Sequence, residues 1–301
     1  MHPALSTLPA WSLPFMGSGG PGRGIIHGLP EADYHGTKAL ISKSALDVFG
    51  GKSPFHYLAS LDAELEDRFL PQFRIGGAYH VAVLEPDLYR QKVVTMPNFG
   101  PMQSSTNRAT RDAWFKHELN GRIWLTPIEN HQIIAMRDVM LASREGKKLL
   151  TIGGQPEVTA LWTCPETGLR CKSRGDWVHA DHGIFVDLKS ALSAAPWSFK
   201  RASGEHRYHV QDAMYSRAFE ENDIHIEHFV FLAQEKEYPY AVAAYQLNDS
   251  ARLRGEDLYM RELRALRQCI DDDYFPSYSP TGEVMALDLP PWVLNDHQVG
   301  A

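Results

Sequence analysis

Residues 171–190 read CKSRGDWVHADHGIFVDLKS, and this stretch decides the fold. Two apolar runs flank the polar, glycine-containing segment HADHG, a pattern that predicts a β-hairpin. Because alternate side chains of a strand point to the same face, Asp187 and Lys189 project together while Leu188 turns to the core. The hairpin would bring Asp176 beside them. Two carboxylates and an ammonium group can hold a hard divalent cation and activate a water molecule.

The composition is usual for a globular protein. The chain has 301 residues, of which 44% are hydrophobic and 22% are charged, so it can bury a substantial core. No run approaches the roughly 18 to 20 apolar residues of a membrane span, and no secretory leader is recognisable near Met1. Its three cysteines are too few for a disulfide framework and form no CxxC pair. We therefore expect a cytoplasmic protein with no membrane partner.

Charge is distributed unevenly along the chain. The net charge of −7 does not favour a nucleic-acid binder, since such domains usually carry a basic excess. Basic residues nevertheless concentrate between Arg108 and Lys148, and three aspartates form residues 271–273. A local basic groove can coexist with an acidic total. For the segment from Arg108 to Arg122, an arm that guides nucleic acid and a solvated surface are both open interpretations.

The composition and the predicted secondary structure change along the chain. Residues 1–27 are rich in Pro, Gly and Ser and are predicted to be a flexible lead-in, so the folded part should begin near Gly28. Residues 28–301 are predicted to form a single domain. Its parts are a helical region 28–150, a sheet core 151–250, and a C-terminal helix and tail 251–301. This order predicts an α/β fold in which helices flank a mixed central sheet.

Periodicity and turn residues predict individual elements. Strands are predicted at 157–163, 170–178, 183–188, 228–233 and 241–246. The main helices are predicted at 74–84, 112–119, 128–144, 208–220 and 249–270. The polar residues 97–111 are predicted to be a loop, because they contain several turn formers.

Glu157 and His80 are further candidate ligands. Glu157 begins a strand that would pair with the Asp176 strand. It is either an exposed edge carboxylate or a group that binds a second metal or a metal-bound water. His80 lies between apolar residues of a predicted helix, where a core histidine and a metal ligand are both open interpretations.

Gln211 and Tyr215 lie four residues apart on a predicted helix and therefore on one face. They form either a polar stripe or a pair that hydrogen-bonds a phosphate oxygen or a base edge. The chain has no Gly-rich phosphate loop with a following Lys-Ser/Thr, no G-x-S-x-G elbow and no HExxH motif. Nucleotide-loop, serine-hydrolase and zinc-peptidase chemistry are therefore not indicated.

Together these residues resemble a known family. The chain resembles the PD-(D/E)XK nuclease superfamily, in its RecB-like branch, in the order of its motifs. These are His80 in GGAYH, Glu157, Asp176 in RGDWV, then FVDLKSA and YHVQDAMYS. The same phrases resemble more closely the exodeoxyribonuclease VIII (RecE-type) nuclease domain of phages and prophages. The resemblance covers roughly residues 34–292, and the full ordered set is far more specific than any one motif.

The resemblance implies a restriction-endonuclease-like core and a Mg²⁺-dependent exodeoxyribonuclease, in which Mn²⁺ can replace Mg²⁺. Such an enzyme digests one strand of linear double-stranded DNA from its end, 5′ to 3′, and leaves a 3′ overhang. The implied metal ligands are His80, Asp176, Asp187 and the backbone carbonyl of Leu188.

The resemblance also implies roles for the remaining site residues. Lys189 would orient or deprotonate the attacking water and steady charge on phosphorus. Glu157 would lie near a second metal, and it is counted among the catalytic residues with Asp176, Asp187 and Lys189. Gln211 and Tyr215 would bind the substrate strand.

The implied partners are double-stranded DNA ends, a single-strand annealing protein and further copies of the chain in a ring-like homo-oligomer. The implied setting is recombination in the cytoplasm of a bacterial or phage-infected cell. Two alternatives stay open: a structure-specific or restriction-type endonuclease on the same fold, and an inactive DNA-end-binding recombination scaffold. Closed circular DNA separates the first from an exonuclease, because an exonuclease needs an end.

Overall fold

The predicted sheet is the centre of the structure, a computed structural model that describes residues 2–62, 71–279, 281–290 and 293. The strands are β1 (Gly24–Ile26), β2 (Val93–Thr95), β3 (Ile123–Leu125), β4 (Gln155–Thr163), β5 (Arg170–His179), β6 (Ile184–Ala191), β7 (His228–Glu235) and β8 (Val242–Tyr245). In the described residues, six of them form one sheet in the order β1-β4-β5-β6-β7-β8, and β2 pairs with β3 separately. Only the β6–β7 pair of the six-stranded sheet is parallel among these described strands, so the sheet is mixed, as predicted.

β5 and β6 form the predicted hairpin. A short 3₁₀ turn, Ala180–His182, joins them and ends at Gly183, whose φ of 62° lies in the left-handed region that glycine adopts without strain. Trp177 pairs with Val186 across the two strands. The antiparallel register therefore places Asp176 beside Asp187 at the next position.

The helices are α1 (Pro3–Ser6), α2 (Leu13–Met16), α3 (Glu31–Gly36), α4 (Lys43–Gly51), α5 (Pro54–Asp62), α6 (Pro71–Leu84), α7 (Tyr89–Lys92), α8 (Ser105–His117), α9 (Pro127–Ala142), α10 (Arg144–Leu150), α11 (Pro196–Glu205), α12 (Tyr208–Glu220) and α13 (Asp249–Asp271). α11 and α12 form the crossover that the parallel β6–β7 pair requires. None of the helices in the described residues is both long and apolar enough to cross a membrane.

The sheet separates two hydrophobic cores. On one face, Phe185, Phe229 and Phe231 pack with α12 and α13 through residues such as Phe219 and Leu263. On the other face, strand residues pack with α6 and α9; this core includes Val186, Leu188, Leu232, Ala82 and Met136. Because side chains alternate along β6, Leu188 faces one core and Asp187 the opposite layer. The α/β fold with helices on both faces is confirmed.

The folded part begins earlier than predicted. β1 pairs with β4 and lies inside the segment 1–27, which was predicted to be a flexible lead-in. Leu5 and Met16 of the same segment are buried. A Pro- and Gly-rich composition therefore did not mark a free terminus, because an edge strand needs few residues to pair with an existing sheet.

The loop predicted at 97–111 is also shorter than expected. α8 begins at Ser105, where the Ser104 side chain caps it by accepting a hydrogen bond from the backbone N–H of Asn107, at 3.3 Å. Serine is a favoured N-cap, so the cluster of turn formers included a helix start. The other main helices and strands lie within a few residues of their predicted bounds.

Candidate active site

Three candidate metal ligands come together between α6 and the sheet. His80 on α6, Glu157 on β4 and Asp176 on β5 each offer one ligand atom, and these atoms lie within 4.8 Å of one another. The Nδ1 atom of His80 is 3.5 Å from Oδ2 of Asp176. All three side chains are partly exposed, so an ion can reach them from solvent.

α6 presents His80 to this site because its neighbouring residues are anchored in the core. Ala78, Tyr79 and Ala82 are fully buried. The Tyr79 hydroxyl donates a hydrogen bond to Gln234 on β7, which fixes the rotation of the helix. His80 is partly exposed beside Glu157 and Asp176, so it is not a buried core residue, and its role as a metal ligand stays a prediction.

Glu157 has an unusual backbone conformation for a strand residue. Its φ is 51°, in the left-handed region, although Pro156 and Val158 on either side are paired with β5. A non-glycine residue held in this region costs about 1 to 3 kcal/mol, and such strain concentrates at functional sites. The twist turns the Glu157 side chain toward His80 and Asp176.

Arg174 is the cation closest to Glu157 among its described ion pairs. Its Nη1 atom lies 3.7 Å from Oε2 of Glu157. Arg174 is itself held by the carbonyl of Leu29, at 2.8 Å, and the hydroxyl of Thr159, at 3.1 Å. Its guanidinium also lies 4.2 Å from the centre of the Tyr34 ring, a cation–π distance. Arg174 therefore has little freedom to move away from Glu157.

Asp187 belongs to a second group, beside the first. Lys189 Nζ is 2.6 Å from Oδ2 of Asp187, and Gln211 Nε2 donates to Oδ1 of Asp187 at 2.5 Å. Lys189 also donates to Oε1 of Gln211, at 3.0 Å. These three side chains close a ring of polar contacts in which each holds the other two.

Asp176 connects the two groups. Its Oδ2 atom accepts a hydrogen bond of 2.7 Å from the backbone N–H of Leu188, between Asp187 and Lys189. The carboxylate is thereby fixed between His80 and β6. The metal-binding roles expected of Asp187 and of the Leu188 carbonyl stay predictions.

The carboxyl groups of Asp187 and Glu157 are difficult to ionise. Burial raises the pKa of Asp187 to about 6; the Lys189 ammonium opposes this rise and the charge of Asp176 adds to it. Burial, followed by the charge of Asp176, raises the pKa of Glu157 to about 7, against the opposing influence of His80 and Arg174. Both rises come from negative charge confined in a poorly solvated space, which a divalent cation would compensate.

Lys189 is protonated in this surrounding. Burial alone would lower its pKa, but the charges of Asp187 and Asp176 outweigh burial and raise it. Its Nζ atom also lies 4.7 Å from the centre of the Tyr208 ring on α12. A fixed ammonium group at this position can stabilise negative charge that develops next to the carboxylates.

Gln211 and Tyr215 share one face of α12, as predicted, but they point into the protein. Gln211 is buried and holds Lys189 and Asp187 through both atoms of its amide. Tyr215 packs against Phe185, with ring centres 6.0 Å apart, and burial raises its pKa. The substrate contacts expected of both residues stay predictions.

A pair of basic side chains on β5 was not predicted from the sequence. Lys172 and Arg174 flank the Tyr34 ring at 4.6 and 4.2 Å, on the side of β5 that carries Asp176. The strand alternation Lys172, Arg174, Asp176 was a visible signal, because residues two apart share a face. The contribution of Tyr34 could not be recognised, because it comes from a distant segment.

The first group fits a divalent cation. One imidazole nitrogen and two carboxylate oxygens are suitable ligands for a hard or borderline ion. Their partial exposure leaves room for further oxygen ligands, and Lys189 adds a positive group beside them. Such an arrangement suits the hydrolysis of a phosphate ester.

The fold and this site define a class of protein. A solved structure from Eubacterium rectale, provisionally described as an exonuclease, is 16% identical with a TM-score of 0.60, over 89% of this chain and 98% of that chain. At this identity the likeness shows the fold. The structure of SSO0001 is 15% identical with a TM-score of 0.28, over 65% of this chain and 88% of that chain, too low to indicate a shared fold. No curated protein matches the sequence.

This class is the PD-(D/E)XK-like proteins, which the sequence motifs of this chain resemble. Residues 42–288 match the family described as "PDDEXK-like domain of unknown function (DUF3799)", and the chain belongs to this family. The family and the fold together support a nuclease. The superfamily prediction is confirmed, while the RecE-type specificity stays a prediction.

Proposed function

We propose that the protein is a Mg²⁺-dependent exodeoxyribonuclease that digests one strand of linear double-stranded DNA, 5′ to 3′, and leaves a 3′ overhang. The observation that carries the proposal is the position of Lys189 and Asp187 beside the candidate metal ligands His80, Glu157 and Asp176. In this proposal the overhang would be the substrate of a single-strand annealing protein.

The residues of the chain divide the work of hydrolysis. His80, Glu157 and Asp176 would hold a divalent cation, with Asp187 as a further ligand. When bound, the cation supplies charge that polarises the phosphate and makes water more acidic. Asp187 and Gln211 hold the Lys189 ammonium, which stabilises the negative charge that develops on the phosphate oxygens. Arg174 keeps the Glu157 carboxyl available to the cation.

The direct experiment compares linear and closed circular duplexes, with Mg²⁺ or with EDTA. We expect the linear duplex to be degraded only with Mg²⁺ and the closed circle to stay intact. Two linear substrates, one labelled at its 5′ ends and one at its 3′ ends, report the polarity of digestion. A 5′ to 3′ exonuclease releases the 5′ label first. Cleavage of the closed circle would indicate an endonuclease. If both DNA substrates stayed intact with Mg²⁺, an end-binding scaffold would be indicated instead.

The substitution Lys189→Ala tests the assignment of the site. We expect it to abolish degradation while DNA binding, measured in EDTA, is retained, because it removes charge stabilisation and leaves the metal ligands in place. Lys148→Ala, which removes an exposed lysine on α10, is the matched control. Degradation by the Lys189→Ala protein at the parent's rate would refute the assignment.

A further inference from the structure

The ammonium group of Lys189 lies over the face of an aromatic ring. Its Nζ atom is 4.7 Å from the centre of the Tyr208 ring, within the distance of a cation–π interaction. The same atom is 2.6 Å from Oδ2 of Asp187 and 3.0 Å from Oε1 of Gln211. A carboxylate, an amide oxygen and a ring face therefore attract this charge together.

The Tyr208 ring is held in place by other aromatic rings. It stacks on Phe231 of β7, with ring centres 5.2 Å apart and planes 21° from parallel. The Phe199 ring of α11 lies 5.7 Å away, and Phe199 stacks in turn on Tyr245 of β8, at 4.6 Å. Phe199 and Phe231 are almost completely buried. Because protein interiors are closely packed, the Tyr208 ring has little freedom to turn away from Lys189.

The register of the sheet places this aromatic stack beside β6. The strands β6 and β7 are parallel, and Asp187 is paired with Phe231. Two positions further along, Lys189 is paired with Ala233, which is fully buried. Residues two apart on a strand share a face, so these side chains all point toward the layer that contains α12. Because Ala233 carries only a methyl group, the Tyr208 ring can lie next to Lys189.

The start of α12 is fixed by the residue before Tyr208. Arg207 has a φ of 54°, in the left-handed region that residues other than glycine rarely adopt. Its guanidinium lies 2.5 Å from Oε1 of Glu262, 3.2 Å from Oδ1 of Asp47 and 3.3 Å from the carbonyl of Leu46. Contacts with α4 and α13 therefore impose this conformation. Strained residues held in this way concentrate at functional sites.

A ring face suits this lysine because it attracts a cation without carrying a net charge. A further carboxylate would add to the negative charge of Asp187 and Asp176, and an aliphatic side chain would exert no such attraction. The ammonium group has three N–H donors, and Asp187 and Gln211 take up two of them. The ring therefore holds Lys189 while one N–H is left for a phosphate oxygen.

We propose that Tyr208 is a positioning residue for Lys189, and that the face of its ring holds the ammonium group beside the reacting phosphate. This inference rests on the proposed nuclease function and adds a residue to it. The attraction comes from the aromatic ring, and the hydroxyl group of Tyr208 is not required.

The rate of degradation of linear duplex tests the need for the ring. Tyr208→Phe keeps the ring and should retain the parent's kcat. Tyr208→Leu keeps an apolar side chain without the ring. It should lower kcat about fivefold to thirtyfold, equivalent to about 1 to 2 kcal/mol, the range of a partly desolvated cation–π pair. KM and the affinity for Mn²⁺ should not change, since the candidate metal ligands stay in place.

Fluorinated phenylalanines at position 208 supply a readout that packing alone would not move. Ring fluorine atoms withdraw electron density from the ring face and weaken its attraction for a cation, while the ring keeps nearly the same shape. With one, two and three fluorine atoms, kcat should fall in steps from the Tyr208→Phe value toward the Tyr208→Leu value. A constant kcat across this series would overturn the proposal, because the ring would then act through its volume. A rising kcat would also overturn it, because the ring would then restrain Lys189.

Tyr245→Leu is the matched control for damage to the aromatic stack. The Tyr245 ring stacks on Phe199, and its hydroxyl donates to the carbonyl of Ala194. Its loss should lower Tm, measured by thermal unfolding, and leave kcat unchanged. A loss of kcat as large as that of Tyr208→Leu would show that any disturbance of the stack impairs degradation, and the proposal would be wrong.

The contact of Lys189 with the ring can also be observed without hydrolysis. Protons above a ring face are shifted upfield in NMR spectra. The ε-methylene signal of Lys189, identified by its loss in Lys189→Ala, should lie upfield in the parent and in Tyr208→Phe but not in Tyr208→Leu. If this shift is seen while the parent digests no DNA, the contact holds and the nuclease proposal is wrong. If the parent digests DNA and Tyr208→Leu does so with the same kcat, only the positioning proposal is wrong.

Discussion

Removal of the Arg174 charge should make metal binding depend more strongly on pH. Glu157 has a pKa raised to about 7, so a proton competes with a cation for its carboxylate near neutral pH. Arg174 opposes that rise from 3.7 Å. Arg174→Met removes the charge and keeps most of the side-chain length, so Glu157 should hold its proton to higher pH.

The structure sets the size of the effect. At about 4 Å, two unit charges attract each other by about 4 kcal/mol in an environment typical of a protein surface. Glu157 and Arg174 side chains are 24% and 10% exposed, so solvent screening removes part of this attraction. A remaining contribution of about 1.4 kcal/mol changes the protonation equilibrium about tenfold. Metal affinity near pH 6 should therefore fall by up to about tenfold.

Isothermal titration calorimetry with Mn²⁺ measures the metal affinity of the protein in the absence of DNA. The loss of affinity in Arg174→Met should be largest below about pH 7 and should disappear well above it, where Glu157 is ionised in both proteins. Arg174→Lys keeps the positive charge and serves as the control, and thermal unfolding of each variant checks the fold. An affinity equal to the parent's at every pH, or a loss that does not change with pH, would refute the reasoning.

Three further predictions concern the same site. Asp187→Ala should abolish degradation of linear duplex and weaken Mn²⁺ binding, because it removes a buried carboxylate and frees Lys189. A degradation assay and calorimetry measure the two effects. Normal degradation would contradict this prediction. Gln211→Leu should lower kcat by about tenfold or more with little change in KM, since it releases Lys189 from its position; a change in KM alone would instead indicate a substrate contact. Because the folded-state pKa values of Asp187 and Glu157 are raised to about 6 and about 7, the stability that these groups contribute is present at low pH and lost as pH rises through those values. Mg²⁺ should therefore raise Tm more at about pH 8 than at about pH 5, and an equal rise at both would count against a metal site at these carboxyls.

Much of the fold could be predicted because its signals are local. The α12 helix was predicted with the bounds that the structure shows, since a 3.6-residue pattern persists over its length. The β5–β6 hairpin followed from two apolar runs and one turn. The beginning of the chain was mispredicted because β1 is stabilised by pairing with β4 and not by its own composition.

The candidate site was only partly predictable for the same reason. His80, Glu157, Asp176, Asp187 and Lys189 were identified by residue type and order, and the structure brings them into two adjacent groups. Gln211 was expected to meet a substrate, but it faces Lys189 and Asp187. Which way a polar side chain of a helix points depends on the sheet beneath it, and that sheet is assembled from distant segments.

The sequence by itself determined the order of helices and strands, the hairpin, and the residues that carry the chemistry, because alternation, helical periodicity and turn residues act over short distances. Only the tertiary structure decided that Glu157 is twisted toward His80 and that Arg174 is held beside it. Those arrangements depend on packing and hydrogen bonds between remote segments, whose balance no local pattern records.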